Sequence, residues 1–180
     1  MCKIYCKYAF VKHALSKIIV VFSQKVNQRG LSRQKLLNLR SMIRFQCEGI
    51  EMPEIDVAKI CKWLTGVAAG YSRRVGDLCY RFCNDERILR TNREFLNHDY
   101  YTDIITFDYT IGDKVGADIL ISIDTVASNA ENLGVNYNAE LHRVIVHGLL
   151  HLCGLKDKTP EERASMESAE NRALCDLISM

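Results

Sequence analysis

The histidine pair His147 and His151 is the pattern in this sequence whose residue types and spacing suit metal chemistry. Residues four apart on an α-helix share one face, so two imidazoles at this spacing can direct ring nitrogens at one ion. Gly154 follows where a glycine in the left-handed conformation would end the helix, and Asp157 comes three residues later. The frame His-x-x-x-His-x-x-Gly-x-x-Asp therefore predicts three protein ligands and one coordination position open to water, which is typical of a catalytic zinc site.

Gly148 limits the chemistry that we expect from such a metal. Zinc peptidases with a similar frame carry a glutamate directly after the first histidine, where it acts as a general base. This chain has a glycine at that position, which disfavours a peptidase. A bound metal would still polarise an oxygen and lower the pKa of its water towards about 7. That chemistry suits a phosphodiester substrate, which brings its own charged oxygens.

A reading without metal is the competing interpretation, because a lone His-x-x-x-His pair has low specificity. Both histidines would then be ordinary core or surface side chains. At about 100° per residue, the pair lies roughly 100° or more from the centre of the apolar stripe of its helix. The stripe consists of Leu141, Ile145, Gly148, Leu149 and Leu152. The pair is therefore outside the middle of the core-facing surface, which favours a ligand role.

Alternating strand and helix patterns must position this helix. Four segments are rich in β-branched and aromatic residues and predict strands, namely "IRFQC", "LCYRFCN", "DIITFDY" and "ADILISID". The last two are expected to pair as a hairpin. Helices are predicted from Pro53 to Tyr71, Asp85 to Leu96, Asp124 to Leu133, Asn138 to Cys153 and Thr159 to Leu177. We expect a single α+β domain, a small mixed four-stranded sheet packed by about five helices, with the zinc site at the end of a central helix.

Length and composition agree with one domain. The chain has 180 residues, of which 48% are hydrophobic and 26% charged, which suffices for one core and leaves no room for a second full domain. The eight cysteines show no paired Cys-x-x-Cys spacing, so we expect thiols of a reducing compartment and no disulfide-linked partner. The longest apolar run, within "ALSKIIVVFS", is too short to span a bilayer, so no membrane partner is expected.

Three stretches of the sequence share a pattern with a known family. They are "HGLLHLCG" followed by a third ligand, "LN" at positions 96–97 followed by "TDIITF" at 102–107, and "GADILIS" from position 116. Together they resemble the bacterial YbeY family, the ribosomal-RNA maturation factors described as single-strand-specific endoribonucleases. The resemblance covers residues 42 to 177 and leaves 1–41 outside.

The resemblance implies a cytoplasmic, zinc-dependent endoribonuclease that cleaves single-stranded RNA. It implies a role in 3′-end maturation of small-subunit (16S) ribosomal RNA and in ribosome quality control, with ribosomal RNA and the small ribosomal subunit as partners. One Zn²⁺ per chain would be held by His147, His151 and Asp157, the last replacing the usual third histidine of the family. The zinc-bound water is the expected nucleophile, and no protein general base is assigned. The alternative is a noncatalytic, metal-stabilised ribosome-assembly factor.

The RNA contact departs from the family pattern, because the loop at 98–101 lacks the arginine that family members carry there. Arg87, Arg90 and Arg93 are spaced by three along one predicted helix and are candidates to replace it, provided that they share the zinc's side of the sheet. A solvated charged face is the alternative. In that case the contact would involve other basic residues, namely Arg73, Arg74 or Lys156.

Four further side chains are candidates for an accessory role. His98 would face the metal cleft, Met166 would form a hydrophobic floor under it, and His142 and Glu140 would orient the ligands. Each has an ordinary alternative, since exposed loop histidines, core methionines and polar helix residues need no function.

Residues 1–41 differ in charge from the rest of the chain. They hold nine of the 24 Lys and Arg and none of the 22 Asp and Glu, so this arm carries +9 and residues 42–180 carry −7. We expect the arm to be upstream sequence translated from a start codon assigned too early, with 42–180 as the endoribonuclease domain. The alternative is a basic extension that binds RNA or acts in targeting. The −7 charge indicates that RNA binding must use a local patch.

Overall fold

Five strands form one mixed sheet in the computed structural model, which describes residues 4–6, 42–96 and 99–180. The strands are β1 Ile4–Cys6, β2 Met42–Cys47, β3 Arg74–Cys83, β4 Ile104–Asp108 and β5 Lys114–Ser122. Their order is β1-β4-β5-β3-β2; the β4–β5 pair is antiparallel and the other three pairs are parallel. The four predicted strands and the predicted hairpin are confirmed, and β1 adds a short fifth strand beside β4.

Five helices lie in the described part of the chain, as predicted. They are α1 Val57–Gly70, α2 Asp85–Leu96, α3 Ile123–Leu133, α4 Tyr137–Leu152 and α5 Pro160–Ser179. The expected capping box of α5 is present, since Thr159 and Glu162 each accept a hydrogen bond from the other's backbone amide. The start of α1 differs from the prediction at Pro53. The Asp56 side chain accepts a hydrogen bond from the amide of Lys59 and caps the helix at that point.

The two faces of the sheet bury different helices, because successive residues of a strand point to opposite sides. Ile104 of β4 and Ile119 of β5 belong to the main core, together with residues of α1, α4 and α5. Ile105 and Leu120 belong to a second cluster, which includes Ile88 of α2. Helix α4, which carries both histidines, therefore lies across the sheet from α2.

Helix α4 is the central helix of the domain and is buried on nearly every side. Leu141, Ile145 and Leu149 of the predicted apolar stripe are fully buried in the main core. The Tyr80 hydroxyl on β3 donates a hydrogen bond of 3.1 Å to the carbonyl of Ile145, which ties the middle of the helix to the sheet. The histidines are buried as well, because α5 and the chain after α4 cover the face that the stripe leaves open.

Gly148 brings α4 close to the sheet. A Cβ atom at this position would lie 2.9 Å from Cδ1 of Ile104 and 3.3 Å from Cδ1 of Ile119. Favourable carbon–carbon contacts are about 3.5–4.0 Å, so a larger residue requires the buried isoleucines to move. A glutamate at this position would start towards the sheet and its apolar core. The packing thus gives a structural reason for the absence of the peptidase base.

Six cysteines within residues 42–180 are free thiols of differing exposure, namely Cys47, Cys61, Cys79, Cys83, Cys153 and Cys175. Cys79, Cys83 and Cys153 are buried, whereas Cys175 is exposed. Burial raises the pKa of Cys83 to about 12 and that of Cys153, which follows α4 directly, to about 11. Cys153 is therefore a protonated thiol at neutral pH and a poor metal ligand. Across the described ranges, the helices lack the combination of length and apolarity that crossing a membrane requires.

The tight contact at Gly148 predicts opposite effects of one substitution at two helical glycines. Gly66→Ala on α1 should raise the free energy of unfolding by up to about 1 kcal/mol, because alanine favours a helix and the site is open. Gly148→Ala should lower it by about 1 kcal/mol, because the isoleucine contacts outweigh that gain. Urea unfolding of both variants measures the difference. Equal stabilisation by the two substitutions would contradict the packing argument.

Candidate metal centre

Three ligand-type side chains converge where α4 ends. His147 and His151 lie on α4, and Asp157 lies between α4 and α5. Each offers one donor atom within 4.8 Å of the other two. Oδ2 of Asp157 lies 3.9 Å from Nε2 of His147 and 3.7 Å from Nε2 of His151. The structure therefore brings together the three residues that the spacing singled out.

The chain returns to the histidines because α4 ends at a glycine. Gly154 has φ = 109°, a backbone conformation that residues with a Cβ rarely adopt, and the chain reverses there. Arg163 then holds the returning segment, since its Nη1 donates to the carbonyl of Lys158 at 2.8 Å and to that of Asp157 at 3.4 Å. The third ligand candidate is thus positioned by the first turns of α5 as well as by the glycine.

Both imidazole rings are oriented by hydrogen bonds at Nδ1. In His147, Nδ1–H donates to Oε1 of Glu170 on α5 at 2.5 Å, and in His151 it donates to the carbonyl of Leu155 at 2.9 Å. Ionised carboxylate and carbonyl oxygens can only accept, so the proton lies on Nδ1 of each ring. In the neutral rings, Nε2 then carries the lone pair, and it is Nε2 that faces Asp157 in both cases.

The donor set fits a divalent metal. His147 is 2% exposed and its Nε2 accepts no hydrogen bond within the described residues. A buried nitrogen lone pair without a partner is costly, and native structures seldom leave one. Two imidazole nitrogens and one carboxylate oxygen are ligands that zinc takes at catalytic sites. The competing interpretation of two ordinary histidines leaves this nitrogen unexplained.

The charges around the rings also favour a divalent cation at this site. The carboxylates of Glu140 and Glu170 pair with the guanidinium of Arg143 behind the site, and the carboxylate of Asp157 lies beside the two rings. With the carboxylates ionised and the rings neutral, this group carries a formal charge of minus two. Protonating both rings would place two cations with ring centroids 4.4 Å apart, where they repel each other. A divalent cation is therefore the better counter-charge.

The arginines proposed for RNA contact lie elsewhere. Arg87, Arg90 and Arg93 are on α2, across the sheet from the histidines. Each is paired with a carboxylate, of Glu48, Glu86 and Asp99, at 2.8, 3.3 and 2.6 Å respectively. The arginines do not lie on the metal's side of the sheet, as the prediction required, because Ile88 packs α2 against the other face. Their contact with RNA stays a prediction, but a single RNA strand would have to pass round the edge of the sheet to reach both these arginines and the metal site.

The accessory candidates have different outcomes. His98 and most of the basic arm lie outside the described residues. Met166 is 2% exposed and belongs to the main core. His142 packs edge-on against Trp63, where burial lowers its pKa, and does not orient the ligand rings. Glu140 is buried and pairs with Arg143, so it lies behind the rings with that guanidinium.

Glu170 is the site residue that sequence reasoning missed. It lies on the buried side of α5 with Met166, Ala169 and Ala173. An acidic residue four positions after a core methionine on a helix was the available signal, since buried carboxylates are rare unless paired. Its partner could not be read from the pattern, because His147 lies 23 residues away on another helix.

Comparison with solved structures supports the fold. The solution structure of TM1509 from Thermotoga maritima is similar to this chain with a TM-score of 0.51. The similarity covers 76% of this chain and 89% of that protein, at 24% sequence identity. At this identity the likeness concerns the arrangement of strands and helices alone.

Sequence relatives are much closer. The protein named Endoribonuclease YbeY in Phocaeicola vulgatus is 56% identical over 139 residues, 77% of this chain and 100% of the relative. The one in Bacteroides thetaiotaomicron is 54% identical over 132 residues, 73% of this chain and 96% of the relative. The family model described as Endoribonuclease YbeY matches residues 43–177, which include all three ligand candidates. On this similarity, the chain belongs to the YbeY endoribonuclease family.

Proposed function

We propose that this chain is a zinc-dependent endoribonuclease that cleaves single-stranded RNA at the site formed by His147, His151 and Asp157. Relatives more than half identical are named endoribonucleases, which supports hydrolysis of RNA phosphodiesters as the reaction. The observation that carries the metal requirement is the convergence of two Nε2 atoms and a carboxylate oxygen with both rings oriented through Nδ1. Zinc is proposed because of this nitrogen-rich donor set.

The protein's contribution is to hold these donor atoms and to shape the surroundings. A divalent metal at this site supplies Lewis acidity and lowers the pKa of water towards about 7. His147 and His151 present unprotonated nitrogens from a rigid, buried helix, while Asp157 closes the set from the chain after it. Gly148 supplies no general base. A phosphodiester suits such a site, because the negative charge of the substrate already favours binding at a cation.

The proposed biological setting follows the family. We place the reaction in the cytoplasm, in 3′-end maturation of 16S ribosomal RNA and in ribosome quality control, with ribosomal RNA and the small subunit as partners. The catalytic domain that we propose is 42–180, which is supported by the family match over 43–177. Residues 1–41 would then be dispensable for cleavage.

The metal site predicts about one zinc ion per chain. His151→Ala should lose most of the metal, because one of three ligands is removed. Asp157→His should retain it, since imidazole is also a zinc ligand. His142→Ala is the matched control, a histidine on the same helix that packs against Trp63 instead. Elemental analysis of the purified proteins measures the content. Equal zinc in the wild type and in His151→Ala would overturn the site.

The catalytic proposal predicts cleavage of single-stranded precursor RNA by the zinc-loaded protein, with duplex RNA left intact. His147→Ala should slow cleavage by about two orders of magnitude or more, since losing several kcal/mol of metal stabilisation corresponds to that factor. His142→Ala should cleave at the wild-type rate. If zinc-loaded wild type leaves the RNA intact while metal removal unfolds the protein, the noncatalytic assembly factor becomes the better description.

Two predictions for the RNA contact compete. Lys156 is exposed and directly precedes Asp157, whereas Arg90 and Arg93 lie across the sheet. We therefore expect Lys156→Ala to reduce the slope of log affinity against log salt by about 0.7 to 0.9, because one phosphate is no longer neutralised. The double variant Arg90→Ala, Arg93→Ala should keep the wild-type slope. Filter binding at several salt concentrations decides; a reduced slope in the double variant alone would return the contact to α2.

A further inference from the structure

A chain of polar contacts lies behind His147, on the side away from Asp157; it is buried at His147 and Glu170 and reaches the surface at Asn171. Oε1 of Glu170 accepts the hydrogen bond from Nδ1 of His147. Its other oxygen, Oε2, lies 3.3 Å from Nη1 of Arg143. Arg143 also donates to Oδ1 of Asn171 at 3.0 Å and lies 3.5 Å from a carboxylate oxygen of Glu140. One glutamate thus joins the imidazole to a guanidinium that is itself held from two helices.

We infer that Glu170 is a positioning residue, which with Arg143 behind it holds His147 in the tautomer and orientation that present Nε2 to a metal. The inference rests on the proposed metal site and deepens it. Glu170 acts through the imidazole and does not itself contribute a ligand atom. Helix α5, which carries it, supplies none of the three ligand candidates.

The cost of the arrangement supports this role. The Glu170 side chain is 8% exposed, and removing a carboxylate from water costs several kcal/mol before its pairings are counted. Well-packed apolar side chains of similar volume often stabilise a fold as well as a buried ion pair does. The neighbouring positions on this face of α5, Met166, Ala169 and Ala173, are apolar. A charged residue among them is explained by what it does to the imidazole.

The two histidine rings are held in the same Nδ1–H tautomer by different acceptors. His151 donates to a backbone carbonyl, which fixes its tautomer without a charge. His147 donates to an ionised carboxylate, which also increases the electron density on the ring and makes Nε2 a stronger donor to a cation. The guanidinium of Arg143 keeps Oε1 directed at the ring by occupying Oε2. Glu170 therefore both orients the His147 ring and makes its Nε2 a stronger donor. Substitutions of Glu170 that keep the acceptor oxygen but remove the charge can separate these two effects.

The experiment compares Glu170→Ala and Glu170→Gln with Glu167→Gln, an exposed glutamate on the same helix. Zinc affinity of the full chain is measured by competition with a chromophoric chelator. Glu170→Ala should bind zinc about 10 to 100-fold more weakly. Glu170→Gln keeps an oxygen acceptor but loses the charge, so its affinity should fall by less. Glu167→Gln should match the wild type. Unchanged affinity in Glu170→Ala would overturn the inference.

A second readout does not depend on metal binding. Long-range ¹H–¹⁵N spectra of the metal-free protein report which ring nitrogen of His147 carries the proton. The wild type and Glu170→Gln should show the Nδ1–H tautomer, and Glu170→Ala should show a mixture. A lowered melting temperature with an unchanged tautomer would mean that Glu170 is merely structural. If wild type shows the expected tautomer but binds no zinc, the proposed metal site fails while the positioning contact stands.

Arg143→Gln tests the outer member of the chain. If Arg143 acts on zinc affinity by orienting Glu170, Arg143→Gln alone should weaken zinc binding. In a protein that already carries Glu170→Ala, Arg143→Gln should have no further effect on zinc affinity. Independent, additive losses would show that Arg143 does not act through Glu170, and would remove it from the proposal.

Discussion

Two imidazole nitrogens and a carboxylate oxygen converge within 4.8 Å of one another, and the packing of the two C-terminal helices and the turn between them produces this convergence. The two rings are placed by one helix and the carboxylate by the chain that follows it. Helix α4 brings the two rings onto one face, Gly154 turns the chain back, and α5 holds both the returning segment and the first ring. The site is therefore a property of two helices and the turn between them.

Close packing of α4 on the sheet fixes both the position and the chemical limits of the site. Gly148 lets the helix approach Ile104 and Ile119, and α5 and the chain after α4 cover the histidines on the neighbouring faces. The same closeness disfavours a glutamate at the position where peptidases keep their base, because the isoleucines would have to move. This site thus differs from that of a peptidase with a similar ligand frame at one packing position, where Gly148 replaces the glutamate base. The spacing of the ligands is the same.

Electrostatics gives the domain two distinct faces. Around the histidines, carboxylates outnumber the guanidinium, which favours a divalent cation there. On the other face, the arginines of α2 are engaged with nearby carboxylates. A basic residue that is paired with a carboxylate attracts RNA less strongly, so a row of arginines in sequence does not by itself define a nucleic-acid surface.

The features that depend on local spacing could be predicted from the sequence. Histidines four apart on a helix, a glycine that ends it, the capping box at Thr159 and the β4–β5 hairpin all follow from contacts between near neighbours. The pairing of Glu170 with His147 and the face of the sheet that α2 covers could not be predicted in this way. These contacts join residues far apart in the chain. They depend on how helices and sheet pack in three dimensions, which the periodicity of any single element does not encode.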